Sequence, residues 1–213
     1  MEFANGVRGK IALFLHNLNL HVEAISQIHS DDMRKFTLYN GETVPTLAEV
    51  MDTCKDKVCL NIEIKEVREE VIEKVLDLIE ERNMFDQVTF SSFNHYLREK
   101  LIKEMEIRKL DHRLTFGFLM RVIDPTMPNY GVQTRPGDSI NIDIRFLERS
   151  REECLHHIAQ AKKAHMKVIF WFPMEYTHEE NFYDDMIRIG TDVIITNKPI
   201  ILNEYLVMKE AGI

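Results

Sequence analysis

The sequence is poor in cysteine and has no apolar run long enough to cross a bilayer. Its three cysteines, Cys54, Cys59 and Cys154, are a small and odd number, which is typical of free thiols in a reducing, intracellular compartment. Cys54 and Cys59 have a Cys-x4-Cys spacing, but the chain has no second pair of cysteines. The spacing therefore gives little support for a zinc site. We therefore interpret all three as packing residues in a protein without a transmembrane segment.

The chain also lacks an excess of basic residues. Its 27 Lys and Arg are outnumbered by 35 Asp and Glu, which gives a formal net charge of −8 at pH 7. A nucleic-acid-binding surface is normally basic, so this balance argues against nucleic acid as a partner. No internal repeat, low-complexity tract or linker divides residues 1–213, and a chain of this length supports a single domain with a sizeable core.

Residues 60–65 have the most informative local pattern. Three aliphatic residues alternate with Asn61, Glu63 and Lys65, which predicts a strand with one polar face. In a barrel of parallel strands, such a polar row can point into the mouth where a ligand lies. A carboxylate and an ammonium two residues apart could hold a divalent cation and a phosphate together. The alternative is an ordinary Glu–Lys pair on a solvated strand face.

Strand patterns and helix patterns alternate along the chain. Six strands are predicted, the first near Leu60 and the last near Val193. Repeated strand–helix units predict parallel strands with covering helices. A closed barrel of this type has eight strands, so the pattern predicts an incomplete α/β barrel.

Three Ser/Thr-x-x-Glu signatures predict capped helix starts. They begin at Thr46, Ser150 and Thr177. In the helix that follows Ser150, Leu155 and Ile158 are expected to face the core.

Five motifs occur in one order along the chain. Residues 44–50, Val-Pro-Thr-Leu-x-Glu-Val, precede the Leu-Asn-Ile-Glu-Ile-Lys of 60–65. Ser-Ser-Phe-Asn follows at 91–94, Val-Ile-Phe-Trp at 168–171, and Gly-Thr-Asp-Val-Ile-Ile-Thr-Asn-Lys-Pro at 190–199. Together these motifs resemble the glycerophosphodiester phosphodiesterase family over about residues 10–200. The resemblance implies a TIM-type (β/α) barrel.

The resemblance also implies roles for individual side chains. Glu63 corresponds to a metal ligand and Lys65 to a phosphate-binding residue, and Trp171 is expected to shape the substrate pocket. His16 matches a catalytic histidine, but Asn17 stands where the family has aspartate. An amide cannot act as the anionic partner of a histidine. A strand-end histidine without chemistry is the alternative for His16.

The chain departs from the family pattern in its acidic motifs. In the family the first strand ends in His-Arg-Gly, Glu-Asn-Thr follows, and the second strand carries Glu-x-Asp; none of these occurs in this sequence. A hard dication is bound by about six oxygens, several of them from carboxylates. Of the metal ligands only Glu63 is retained. We therefore interpret the chain as a truncated or degenerate member whose barrel lacks the first two strands.

Two functions from different classes follow. The first is a metal-dependent hydrolase that splits a glycerophosphodiester into glycerol 3-phosphate and an alcohol, with calcium or magnesium and with the missing residues supplied elsewhere. The second, which we favour, is a catalytically inactive structural subunit that needs no metal. Removing two strands from a barrel creates two open edges, and the apolar segment 11–15 can fill one of them. We therefore expect another chain, or a second copy, to cover the gap between 60–65 and 192–196.

Overall fold

The computed structural model describes residues 32, 34–37, 41–65, 70–110, 114–121 and 127–212. Within them the helices are α1 (Leu47–Cys54), α2 (Glu70–Arg82), α3 (Leu97–Ile107), α4 (Ile144–Arg149), α5 (Arg151–Lys163), α6 (Tyr183–Ile189) and α7 (Pro199–Glu210). The strands are β1 (Leu60–Glu63), β2 (Val88–Ser92), β3 (Thr115–Met120), β4 (Ser139–Asp143), β5 (Lys167–Trp171) and β6 (Val193–Ile195). The predicted strand at 11–15 and His16 lie outside the described residues.

The six strands form one parallel sheet, with neighbours in chain order from β1 to β6. This is the predicted incomplete α/β barrel. Because all strands run the same way, Glu63, Ser92 and Trp171, which end three of them, lie at one edge of the sheet. Asn197 follows β6 at that same edge. The prediction that these four residues share the carboxyl-terminal mouth is confirmed.

The outer face of the sheet carries the main hydrophobic core. Alternate residues of each strand point toward the helices, and burying such side chains stabilises the fold by about 1.5–3 kcal/mol each. On the helices, the buried residues include Ile72, Leu76, Leu101 and Ile158. The buried strand residues of this face include Leu60, Phe90, Phe116, Phe118, Ile140, Ile142, Val168 and Phe170.

The inner face is polar over most of its width. A small cavity of about 40 Å³ lies at the amino-terminal end of the strands. The polar residues that line it are Asn61, Thr89, Thr115, Ser139, Asn141 and Lys167. This composition differs from the Val, Ile and Leu layers that usually fill the interior of such barrels.

All three cysteines were predicted to be packing residues, and two of them are buried in the core. Cys54 and Cys154 are free thiols buried in the core, while Cys59 is a free thiol that is half-buried. Burial raises the pKa of the Cys154 thiol to about 12, which keeps it protonated and unreactive at neutral pH.

The three predicted capping boxes have different outcomes. The box of Thr46 and Glu49 is present at the start of α1. The predicted box at Ser150 is wrong, since the Ser150 side chain makes no capping hydrogen bond to α5. The predicted cap at Thr177 is also wrong, because neither the 3₁₀ turn at Glu179–Phe182 nor α6 has a side-chain cap. The helix does end at Gly190, which takes the left-handed conformation there.

Two further details correct the sequence interpretation. Helix α4 was not predicted: it follows β4 directly, and the Asp143 carboxylate caps it by accepting from the Arg145 backbone N–H. In α5, Ile158 is buried as expected, but Leu155 is exposed. Cys154 is buried instead of its neighbour, because it shares one helix face with Ile158 and Ala161, which are four and seven residues further along.

The outer edges of β1 and β6 pair with no other strand among the described residues. Helix α7 follows β6 and buries only Leu202 among its twelve residues. Four apolar side chains of α7, Ile200, Ile201, Val207 and Met208, are exposed. In the part of the chain that the structure describes, no helix is long and apolar enough to span a bilayer.

Candidate functional site

Glu63 and Lys65 lie at the mouth, where β1 ends. The Lys65 ammonium is 3.7 Å from the Glu63 carboxylate, a distance that allows an ion pair. The Glu63 side chain is 13% exposed, whereas that of Lys65 is 56% exposed, so the carboxylate is partly shielded and the ammonium reaches into solvent. Sequence analysis placed both on one face of the strand, and the structure brings them together.

A second charged group lies at the end of β4. Asp143 is buried, and its carboxylate accepts hydrogen bonds from the Arg145 backbone N–H at 2.9 Å and from Arg145 Nη2 at 2.6 Å. Arg145 also donates to Glu175 at 3.1 Å. These contacts raise the pKa of the Arg145 guanidinium further above its ordinary value, chiefly through the hydrogen bond to Asp143. Asp143 is therefore fully occupied in holding the start of α4.

Trp171 forms the aromatic wall of the mouth. Its indole Nε1–H donates to the Asn141 carbonyl oxygen at 3.1 Å, which fixes the ring orientation. The Phe93 ring meets Trp171 edge to face, with ring centroids 6.2 Å apart. The Arg121 guanidinium lies over the Phe93 ring, with its Cζ 4.6 Å from the ring centroid. Sequence analysis identified Trp171 but gave no role to Phe93 or Arg121.

The loop after β2 is held by short polar contacts. Ser92 Oγ donates to the Ile64 carbonyl at 2.6 Å and accepts from the Asn94 backbone N–H at 3.0 Å. His95 Nε2 lies 2.9 Å from the Leu119 carbonyl oxygen, which ties the loop to β3. Burial lowers the pKa of His95 below its ordinary value. The Ser-Ser-Phe-Asn motif thus fixes the position of Phe93.

Glu179 holds the segment that follows β6, a role the sequence analysis missed. Its carboxylate is completely buried and accepts from the Thr196 hydroxyl. It also accepts from the Asn197 backbone N–H at 3.1 Å and from Asn197 Nδ2 at 2.9 Å. Asn197 in turn donates to the Pro173 carbonyl at 3.1 Å. Glu179 lies within the Thr-x-x-Glu signature of residues 177–180, one residue before its glutamate, so its sequence context suggested a helix cap. Only a contact across 17 residues reveals its partner.

Gly117 and Asn141 fit together below the mouth. A Cβ at Gly117 would lie 2.5 Å from Asn141 Nδ2, which is closer than atoms approach. The Asn141 amide is buried, and its Oδ1 accepts from the Ser139 hydroxyl at 2.7 Å. Glycine is therefore required at position 117, because the Asn141 amide occupies the space that a side chain at this position would need.

The described residues do not fit a hard divalent cation. Such an ion binds about six oxygens, several from carboxylates. Among the residues that the structure describes, no three His, Cys, Asp or Glu side chains come together in a way that could hold a metal ion. Among the described carboxylates at the mouth, the partly buried Glu63 lies beside an ammonium and the buried Asp143 is held by a guanidinium.

The predicted site residues have separate outcomes. Glu63, Lys65 and Trp171 lie at the same end of the sheet, while His16 lies outside the described residues. Their roles in metal, phosphate and substrate binding stay predictions.

Comparison with known proteins gives a consistent picture. No family model matches the chain. A glycerophosphodiester phosphodiesterase of Caldanaerobacter subterraneus subsp. tengcongensis is 30% identical over 168 residues, which are 76% of this chain and 61% of that protein. The chain thus spans about three-fifths of the length of the curated relative that it matches.

Solved structures share the fold. A glycerophosphodiester phosphodiesterase from Parabacteroides distasonis superposes with a TM-score of 0.69 at 16% identity, covering 92% of this chain and 77% of that chain. One from Agrobacterium tumefaciens superposes with a TM-score of 0.56 at 13% identity, covering 81% of this chain and 70% of that chain.

Proposed function

Because this chain belongs to the glycerophosphodiester phosphodiesterase family, we propose that it is a catalytically inactive member that serves as a structural subunit of a larger assembly. The observation that carries the proposal is the pairing of acidic groups at the mouth. The Glu63 carboxylate lies 3.7 Å from Lys65 Nζ, and Asp143 accepts from Arg145 at 2.6 Å. Among the residues that the structure describes, neither carboxylate is grouped with others as a metal centre.

The chemistry of phosphodiester hydrolysis determines which groups an active member of the family needs. Phosphodiester hydrolysis needs neutralisation of charge on the phosphoryl oxygens and protonation of the leaving group. The sequence contains no His-Arg-Gly and no Glu-x-Asp of the family type. At the mouth, the described residues include the cations Lys65, Arg121 and Arg145 but no carboxylate cluster that could hold a metal ion. This supports a chain that does not complete the reaction by itself.

The unpaired edges of the described sheet support the proposed role as a structural subunit of a larger assembly. The outer edges of β1 and β6 carry backbone donors and acceptors that pair with no strand among the described residues. Next to β6, helix α7 exposes four apolar side chains. Unpaired edges and contiguous apolar surface normally mark a place where another element packs. We infer that another chain, or a second copy of this one, covers the gap.

The side chains of the family type that are present at the mouth favour a second candidate function, that of a hydrolase. Glu63 and Lys65 are side by side, and the Trp171 ring is fixed by its bond to the Asn141 carbonyl. A metal-dependent hydrolase could use this half of a site if a second polypeptide supplied the missing acidic residues and general acid. In that case, the assembly would split glycerophosphodiesters into glycerol 3-phosphate and an alcohol, with Glu63 binding calcium or magnesium.

The test is an activity assay on the purified chain. We expect no release of glycerol 3-phosphate from glycerophosphocholine, with or without calcium or magnesium, because the metal-binding carboxylates are not assembled. The matched control is Glu63→Ala: activity that persists in this variant comes from a contaminant. Activity that disappears in Glu63→Ala contradicts the proposal, and activity that requires a second purified polypeptide supports the hydrolase alternative.

A further inference from the structure

The cavity at the amino-terminal end of the strands lies at the opposite end of the sheet from the mouth. Residues of all six strands line it, from Asn61 on β1 to Val193 on β6. The sheet therefore curves far enough for its two edge strands to face one space. The volume of this space is about 40 Å³. Since one buried water needs about 10–15 Å³, a molecule of about three to five non-hydrogen atoms fits.

One side of the cavity offers both hydrogen-bond acceptors and donors. Strand register places Asn61, Thr89 and Thr115 in one row across β1, β2 and β3. The Asn61 Oδ1 atom is buried and has no hydrogen-bond partner among the described residues, which is unfavourable unless a ligand or water donates to it. The Thr89 and Thr115 hydroxyls lie 2.8 Å apart, and either can donate to the other. When Thr89 donates, the Thr115 O–H can donate into the cavity.

Lys167 brings a positive charge to the same space. It begins β5 in register with Ser139 on β4, and both residues line the cavity. Its neighbour Val168 is buried in the core on the outer face, so alternation places the Lys167 side chain on the inner face. An ammonium group beside neutral hydroxyl and amide groups favours an anionic ligand.

The remaining wall of the cavity is apolar. Ile169 on β5, with Val193 and Ile195 on β6, completes the lining that the structure describes. A ligand therefore meets an ammonium and hydroxyl groups on one side and aliphatic side chains on the other, a combination typical of small-molecule sites. A hydrated inorganic ion would leave this apolar wall without a partner, whereas a short organic acid can cover it.

We propose that this cavity binds a small carboxylate that also carries a hydroxyl group, a molecule of the size of glycolate. Its carboxylate accepts hydrogen bonds from the Lys167 ammonium and the Thr115 hydroxyl, and its hydroxyl donates to Asn61 Oδ1. Its methylene group lies against the wall of Ile169 and Val193. The proposal goes beyond the structural role above, since this site lies at the other end of the sheet and binding there requires no cleavage.

Cys59 provides the measurement, because its half-buried thiol lines the cavity, whereas the thiols of Cys54 and Cys154 are buried in the core. The full chain is alkylated with iodoacetamide at increasing concentrations of glycolate and at constant ionic strength. Peptide mass spectrometry follows the modification of each cysteine. We expect glycolate to slow the alkylation of Cys59 in a saturable way, because the occupied cavity excludes the reagent.

Two probes of similar size separate the contributions of charge and hydroxyl group. Acetate has the carboxylate but no hydroxyl group to donate to Asn61, and ethylene glycol has hydroxyl groups but no charge for Lys167. Each is expected to need a concentration about 10-fold higher or more than glycolate for the same protection of Cys59, because one polar group of the site stays unpaired.

Lys167→Met removes the ammonium at nearly unchanged length and is expected to raise the protecting concentration of glycolate about 10-fold. The matched control is Lys163→Met, which removes an exposed lysine at the end of α5 that does not line the cavity and leaves the protection unchanged. Asn61→Leu removes the acceptor at similar volume, so glycolate loses its advantage over acetate.

Thermal melts show that each variant is folded, and the comparison of glycolate, acetate and ethylene glycol on the unaltered chain needs no variant. Glycolate that leaves Cys59 unprotected, acetate that protects as well as glycolate, or unchanged protection in Lys167→Met overturns the proposal. The alkylation of Cys59 involves neither phosphodiester cleavage nor assembly, so its outcome is distinguishable from that of the activity assay above.

Discussion

At the residue scale, the polar interior depends on close fits between small and large side chains. Gly117 leaves the space that the buried Asn141 amide fills, since a Cβ there would lie 2.5 Å from Asn141 Nδ2. The amide is held in that space by the Ser139 hydroxyl, 2.7 Å from its Oδ1. Even one added methyl group is therefore expected to force a rearrangement of the interior.

We predict that Gly117→Ala lowers the free energy of unfolding by about 1–3 kcal/mol, the usual cost of overpacking. Urea denaturation measures this change. The control is the same substitution in an Asn141→Ala background, where the added methyl group has room and its cost is much smaller. Equal costs in both backgrounds would show that Asn141 is not what requires glycine at position 117.

At the element scale, similar sequence signatures produce different helix starts. Thr46 Oγ1 accepts from the Glu49 backbone N–H at 3.2 Å, and the Glu49 carboxylate accepts from the Thr46 backbone N–H at 2.7 Å. The latter bond, with help from Arg34, lowers the pKa of Glu49 from 4.5 to about 2. Ser150 begins the same Ser/Thr-x-x-Glu pattern but makes no side-chain cap.

We predict that Thr46→Ala destabilises the protein by about 1 kcal/mol at neutral pH, as expected for loss of an N-cap. Ser150→Ala is the matched control and changes stability by less than about 0.5 kcal/mol. Because the folded pKa of Glu49 is depressed, its stabilising effect is present above pH 4.5 and is lost as the pH falls through about 2. Thermal melts of both variants at neutral and acid pH check the prediction, and equal effects of the two substitutions would contradict it.

At the scale of the whole molecule, the six strands that the structure describes form a sheet whose two edges do not meet as in a closed barrel. The edges of β1 and β6 pair with no strand among the described residues, and the apolar side chains of α7 beside β6 are exposed. An open edge in water tends to pair with another chain. The assembled state of the protein therefore depends on what packs over this gap.

We predict that the isolated chain at micromolar concentration self-associates or aggregates and buries about 800 Å² per partner. Sedimentation velocity or native mass measurement tests this. Val207→Lys on α7 is expected to weaken the association, whereas Ile107→Lys, at an exposed apolar position at the end of α3, leaves it unchanged. A stable, soluble monomer of the unaltered chain would refute the prediction.

Much of the fold could be predicted because its signals are local. Alternation in 60–65 and the repeated strand–helix pattern identified the parallel sheet, and the ends of parallel strands necessarily share one edge. Glu63, Lys65 and Trp171 could therefore be placed at one mouth before any distance was known. The capping box at Thr46 was also identified correctly, since all of its partners lie within four residues of each other.

The sequence by itself thus indicated the parallel strand–helix pattern, the polar inner row of β1 and the resemblance to the glycerophosphodiester phosphodiesterase family. Only the tertiary structure decided that Glu179 holds Asn197, that Asp143 is occupied by Arg145, and that Arg121 lies over Phe93. The physical reason lies in the range of the interactions. Alternation and capping depend on neighbouring residues, whereas the partner of a buried carboxylate or an aromatic ring is chosen by packing between elements distant in the chain.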